Sequence, residues 1–353
     1  MLNNFKLNRV KFVGGMKADK PGRHSNLKCD IETGDYKDQQ PQFLMDRLEG
    51  LIERLSLAEA AAVVDSYAKE MIGDVPFTEK VFSGTGRAFY SYGGRQLTIG
   101  FQGEHSHIES NIKLLDTYRK WHEDAPDCPY AAASYARGLQ FTGHSLRGTD
   151  YIDEVNDDLY KAMQDKNAQA AEIFAKTYDK FHTHWYWAIC YLHASLTADV
   201  EFREMWDRFH QCIIANPHDV RNYEIMAFMM MPRWHGSYEI IEDVAKQAVL
   251  ATEEKYGLMM YARTFSSILE YEYIMGLTYD WPTLKQGYQD WLELFPNDFA
   301  RTQYASLLYY HEEYLEALEN MEALNTLYVS AWENPAEYTI ANSICLEFKK
   351  SFG

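Results

Sequence analysis

Glycine and proline are scarce in this 353-residue chain, at 20 and 10. So few turn-formers suit long helices joined by short connections. Cysteine pairs are missing too. The five cysteines (Cys29, Cys128, Cys190, Cys212 and Cys345) are odd in number, widely spread and without a C-x-x-C pair. That argues against a disulfide framework or a zinc knuckle and for reduced thiols. No long hydrophobic run is present either. The most apolar stretch, Ile225 to Pro232, falls far short of the roughly 20 residues that a membrane span needs. The opening MLNNFKLNRVKFVGG lacks the apolar centre of a secretory signal. These absences together predict a soluble, cytoplasmic protein with nothing crossing a bilayer.

Positive charge is in deficit, and unevenly so. The net charge is −18, yet residues 1–42 carry eight Lys/Arg against five Asp/Glu, so the rest of the chain carries −21. An acidic body disfavours nucleic acid, whose phosphates are held by cationic side chains that release counterions. It favours a cationic partner, or serves solubility alone.

What is plentiful is apolar and aromatic: 46% hydrophobic residues, with 26 Tyr, 18 Phe and 8 Trp. Such a chain folds. Residues 1–42 read as a basic, extended amino-terminal arm with a short strand at Val10–Val13. From Phe43 the pattern becomes helical. Leu44, Leu48, Leu51, Ile52 and Leu55 share one face, and Ser56-x-x-Glu59 is a capping box that opens a second helix to about Met71. Between Val75 and Glu104 stand six glycines among β-prone residues, and RAFYSY-GG-RQLTIGF suggests a small β-hairpin near 87–101. A phosphate loop does not fit there, since neither G-K-[ST] nor a full G-x-G-x-x-G is present. Any strand is therefore expected within residues 1–40 and 80–104.

Ser106-x-x-Glu109 is a further capping box, opening a helix through Ile112, Leu115, Tyr118 and Trp121 towards Pro126. An alanine-rich helix follows from Tyr130. Helix-period segments then run almost unbroken to Phe348, separated by Asn216-Pro217, Pro232, Gly257, Asp280-Trp281-Pro282, Phe295-Pro296 and Asn334-Pro335. The reading is all-α. An amino-terminal helical region (43–126) precedes an α-α superhelix of divergent tetratricopeptide-like hairpins (127–353). Its clearest hairpin is YASLLYYHEEYLEALENM, in which Ala305 and Ala317 stand one on each helix where the two must approach closely. Weaker copies end at Phe209, Cys212 and Pro217, and at Tyr288, Trp291 and Pro296.

Ala136-Arg137-Gly138, then Met231-Pro232-Arg233-Trp234-His235-Gly236-Ser237, Tyr261-Ala262 and Asp280-Trp281 carry a family resemblance. Together they resemble an uncharacterised bacterial family of tetratricopeptide-like architecture, over about Asp74 to Leu324. The P-x-W-x-G-S core is its most specific part. The resemblance implies a fold and a bacterial origin, and it implies no reaction.

Candidate sites are few. His105-x-His107 beside Glu104 and Glu109, and His182-x-His184 with His193, have ligand-type side chains. An i,i+2 pair shares a face only in extended chain, and no H-E-x-x-H or Cys/His quartet completes either set, so no metal or other cofactor is expected. No G-x-S-x-G nor Cys–His pairing marks a nucleophile. The P-x-W-x-G-S segment reads as a tight turn, with Trp234 wedged inward and Ser237 capping the next helix. It also reads as a pocket mouth formed by Arg233, Trp234 and His235. Arg137 reads as buried against an internal carboxylate. The run LEYEYIMGLTYDW places Glu270 and Tyr273 on one face and Glu272 opposite.

Two functions follow. One is a non-catalytic scaffold whose acidic, tyrosine-rich surface (Glu270, Glu272, Tyr273 and Tyr309, with Arg233, Trp234 and His235) binds a basic protein, as an immunity protein binds a cationic bacterial toxin. The other is an enzyme acting on a small molecule, with a pocket near Arg137, His105 and Trp234.

Overall fold

A computed structural model describes residues 30–32, 58, 61–62, 106–147, 155–196, 200–234, 236–269, 276–328, 331–332 and 335–352. Among these residues the fold is all-α, with twelve helices of nine residues or more and two three-residue strands. The helices are α1 (Ser106–Asp124), α2 (Pro129–Arg147), α3 (Asp157–Phe181), α4 (Trp185–Ala194), α5 (Phe202–Ala215) and α6 (Val220–Met229). They continue with α7 (Tyr238–Tyr256), α8 (Met259–Leu269), α9 (Trp281–Leu294), α10 (Asp298–Tyr310), α11 (Tyr314–Glu322) and α12 (Pro335–Phe352).

Most helices pack on their sequence neighbours, with α2 against α1 and α3, α7 on α8 and α10 on α11. Small residues set the close approaches. A Cβ on Gly138 would meet Leu115 and Tyr118 of α1 at 3.2 Å, and one on Gly143 would meet the Met163 backbone of α3 at 3.2 Å. Between these two faces the alanines Ala131, Ala132, Ala133 and Ala136 are wholly buried. Helix α4 is apolar on nearly every side, so it must be surrounded. Its Trp187 and Ile189 join a core with α1, α2 and α3, while Ala188 and Leu192 join a second core extending to Cys345 of α12.

The helix ends follow local chemistry. The side chains of Asn156, Asp219, Asp280 and Asn297 each accept a backbone N–H in the first turn of the helix that follows. Helix α7 ends at Gly257, whose φ of +55° suits glycine, and a Cβ there would lie 2.4 Å from the Asp290 carboxylate. Helices α5 and α9 stop just before Pro217 and Pro296, and their Phe209, Cys212, Tyr288 and Trp291 are buried. Ala305 and Ala317 are both fully buried where α10 packs on α11. Ala58, Ala61 and Ala62 are helical, and Ala61 is buried in the first core, in line with a second helix after Ser56.

One expectation is corrected. Strand β2 (Thr326–Tyr328) lies far outside the two regions assigned to strands, and it pairs in parallel with β1 (Asp30–Glu32), Ile31 opposite Leu327. Leu324, Leu327 and Tyr328 recur at helical spacing, and all three are buried, which is why the segment reads as helix. The Asp298 carboxylate decides otherwise. It accepts the Thr326 N–H at 2.9 Å and so takes the segment out of helix 28 residues along the chain. The proposed strand at 10–13 and the hairpin at 87–101 lie outside the described residues.

Candidate functional site

Of the residues singled out by sequence, Glu270, Glu272, Tyr273, His235 and His105 lie outside the described residues. Tyr309 is half-buried on α10, with its ring among those of Tyr310, Tyr314 and Trp332 at 5.6–6.0 Å. Arg233 is exposed and reaches Met231 Sδ at 3.4 Å. Trp234 is not the inward wedge that the turn reading required. It is 48% exposed and rests against Phe228 with centroids 5.9 Å apart. The wedge is instead Met231, wholly buried, whose carbonyl accepts the Trp234 N–H at 2.9 Å and closes the turn. Ser237 does occupy the N-cap of α7, but its hydroxyl bonds the Glu239 carboxylate rather than a backbone N–H.

Arg137 is buried at 4% exposure. Its Nη1 donates to Gln140 Oε1 at 2.8 Å, and its guanidinium lies 4.9 Å over the Phe141 ring. The acceptor described for it is an amide oxygen. Nearby imidazoles feel this cation. Burial, then Arg137 and Arg147, push His144 down to about 4, and burial followed by Arg137 holds His193 well below the usual imidazole range. His182 and His184 turn to different neighbours. His182 stacks on Tyr178, while His184, at the N-cap of α4, packs against Tyr130 and Trp185. Among the described residues no three His, Cys, Asp or Glu gather as metal ligands.

The site with most geometry is one that sequence reasoning missed. A cleft of about 470 Å³ opens between α3, α4 and α5, lined by Tyr178, Tyr191, Glu204, Asp207, Arg208, His210, Gln211 and Ile214. Helix α5 builds it by its two faces. Met205, Arg208, Phe209 and Cys212 are buried, while Glu204, Asp207, Gln211 and Ile214 recur at the same helical spacing on the cleft side. Ile214 is 78% exposed at its edge.

Aromatic rings form the floor. Trp187 is fixed by its Nε1 donating to Thr177 Oγ1 at 3.0 Å, and it meets Phe174, Tyr178 and Tyr191 at centroid distances of 5.0–6.0 Å. Arg208, 8% exposed, lies over Tyr191 with its guanidinium carbon 3.8 Å from the ring centroid. Its Nη2 and Nε donate to Glu204 at 2.6 and 3.2 Å, and its Nη1 to the Tyr191 carbonyl and Ser195 Oγ at 3.2 Å. Burial raises the Tyr191 phenol above its ordinary value, opposed by Arg208.

Each of the three Arg208 nitrogens thus has an acceptor, and Gln211 Nε2 donates to the Tyr178 hydroxyl. Gln211 Oε1 is buried with no hydrogen-bond partner among the described residues. Asp207 is exposed at the rim, and no ion pair to it is found among them. The cleft thus joins an exposed carboxylate and two tyrosine rings to an internally held cation.

No helix among the described residues is long and apolar enough to cross a membrane. No family model, curated protein or solved structure matches the chain.

The signal for this cleft was present on one helix. The Glu204, Asp207, Gln211, Ile214 stripe in FREMWDRFHQCIIA is legible as a face. Its tyrosines come from two other helices, and only packing brings them to it.

Proposed function

We propose that the chain is a non-catalytic, cytoplasmic protein-binding scaffold whose acidic, tyrosine-bearing surface engages a basic protein. The specific form of this reading is an immunity-type antagonist that neutralises a cationic bacterial toxin in stoichiometric complex. The observation that carries it is the cleft, where the Asp207 carboxylate stands at the rim of a tyrosine floor. The −21 charge of the chain beyond residue 42 supports it, because a field of one sign raises the encounter rate with a partner of the other. Sequential packing of helices, with a fully buried alanine on each of α10 and α11, supports a divergent tetratricopeptide-like superhelix as the framework. The P-x-W-x-G-S turn and the companion motifs support kinship with the uncharacterised bacterial family that the sequence resembles.

The test is capture of partners from the native host on the tagged full chain, followed by reconstitution with the purified candidate. A small basic protein binding in stoichiometric amounts, its toxicity suppressed by the chain, is the expected result. Capture that yields only acidic proteins, or a reconstituted pair in which the partner stays toxic, overturns it.

A further inference from the structure

Building on that reading, we infer that the cleft between α3, α4 and α5 is the docking pocket for one arginine side chain of the basic partner. The geometry already shows the chemistry at work within the chain. Arg208 is held by a tyrosine face on one side and a carboxylate on the other, which is how a guanidinium is recognised when it leaves water.

Tyr178 and Asp207, which also line the cleft, supply the same two elements, a ring and a carboxylate. Tyr178 presents a ring that is fixed twice. It stacks on His182 at 5.0 Å and 12°, and Gln211 donates to its hydroxyl. Asp207 stands at the rim one helical turn beyond Glu204 and one turn before Gln211, so it lies on the cleft side of α5. Charge complementarity selects the occupant. Glu204 is matched by Arg208, and among the described residues no ion pair to Asp207 is found, so its carboxylate is the charge that a cationic side chain would meet. A neutral apolar side chain would leave the Asp207 carboxylate without a counter-charge. A planar guanidinium fits a stacking face and the two oxygens of a carboxylate together, where an ammonium offers no plane to stack. Ile214, exposed at the edge, provides apolar contact for the flanking backbone of the partner.

The experiment is a titration of the full chain with three blocked pentapeptides, identical except for a central arginine, lysine or citrulline, followed by aromatic NMR. The arginine peptide is expected to shift the Tyr178 and Tyr191 resonances while leaving Tyr309 unmoved. The citrulline peptide, of the same shape but uncharged, is expected to bind at least about tenfold more weakly, and lysine to fall between. Asp207→Lys, a change at an exposed position, is expected to abolish the shifts without altering the melting temperature, and Asp207→Glu to retain them. Equal binding of arginine and citrulline, shifts that survive Asp207→Lys, or no shift of Tyr178 and Tyr191 overturns the inference. A basic protein that still binds Asp207→Lys as it binds the parent chain refutes the pocket but leaves the scaffold reading standing. Arginine-peptide binding in a chain that captures no basic protein does the reverse.

Discussion

Gly236 stands directly against the backbone of Met230: a Cβ at Gly236 would lie 2.5 Å from the Met230 carbonyl oxygen and 2.9 Å from its Cα. Backbone cannot yield as the end of a flexible side chain can. The glycine of the P-x-W-x-G-S segment is therefore required by a close approach between the end of α6 and the start of α7. Gly236→Ala is expected to destabilise the fold by about 1–3 kcal/mol, the range for overpacking a filled site. Urea unfolding of the two proteins measures it, and an unchanged midpoint would show that the turn has room.

Ala317 gives a second packing test. It and Ala305 are fully buried where α11 meets α10, so Ala317→Trp is expected to cost about 1–3 kcal/mol or more. Leu315, 41% exposed on the same helix, is the control, and Leu315→Ala is expected to change little. Thermal melts that do not separate the two variants would break the hairpin register.

The helical part of the fold was legible because its signals are local. Proline, glycine and cap residues stand where helices end, and Asp280 and Asn297 cap as their positions suggest. Strand β2 was not legible, since its partner lies almost 300 residues earlier and its buried residues repeat at helical spacing. The cleft was half legible. Glu204, Asp207 and Gln211 recur at helical spacing, a signal passed over in reading the sequence, and nothing in the sequence announces that Tyr178 and Tyr191 converge upon them.

Acid sensitivity follows from His144. Its pKa falls from 6.5 in the unfolded chain to about 4 in the fold, through burial and then the Arg137 and Arg147 cations. A depressed group contributes stability that is present above the unfolded pKa and is lost as pH falls towards the folded one. His144→Gln is therefore expected to flatten the loss of stability between pH 6.5 and about 4. Chemical denaturation at several pH values checks this, and parallel curves for the two proteins would refute it.

The central claim is that an acidic surface steers a basic protein onto this scaffold, and association kinetics test it most directly. With the purified partner, association and dissociation rates are measured as salt rises from about 0.05 to about 0.5 M, a range over which the screening length shrinks severalfold. The parent chain is compared with a chain carrying Glu270→Lys and Glu272→Lys. Steering predicts association slowed by about tenfold or more with salt, a similar slowing at low salt from the two reversals, and dissociation changed far less. Association that ignores both the salt and the reversals would contradict the account and leave the acidity as a solubility device.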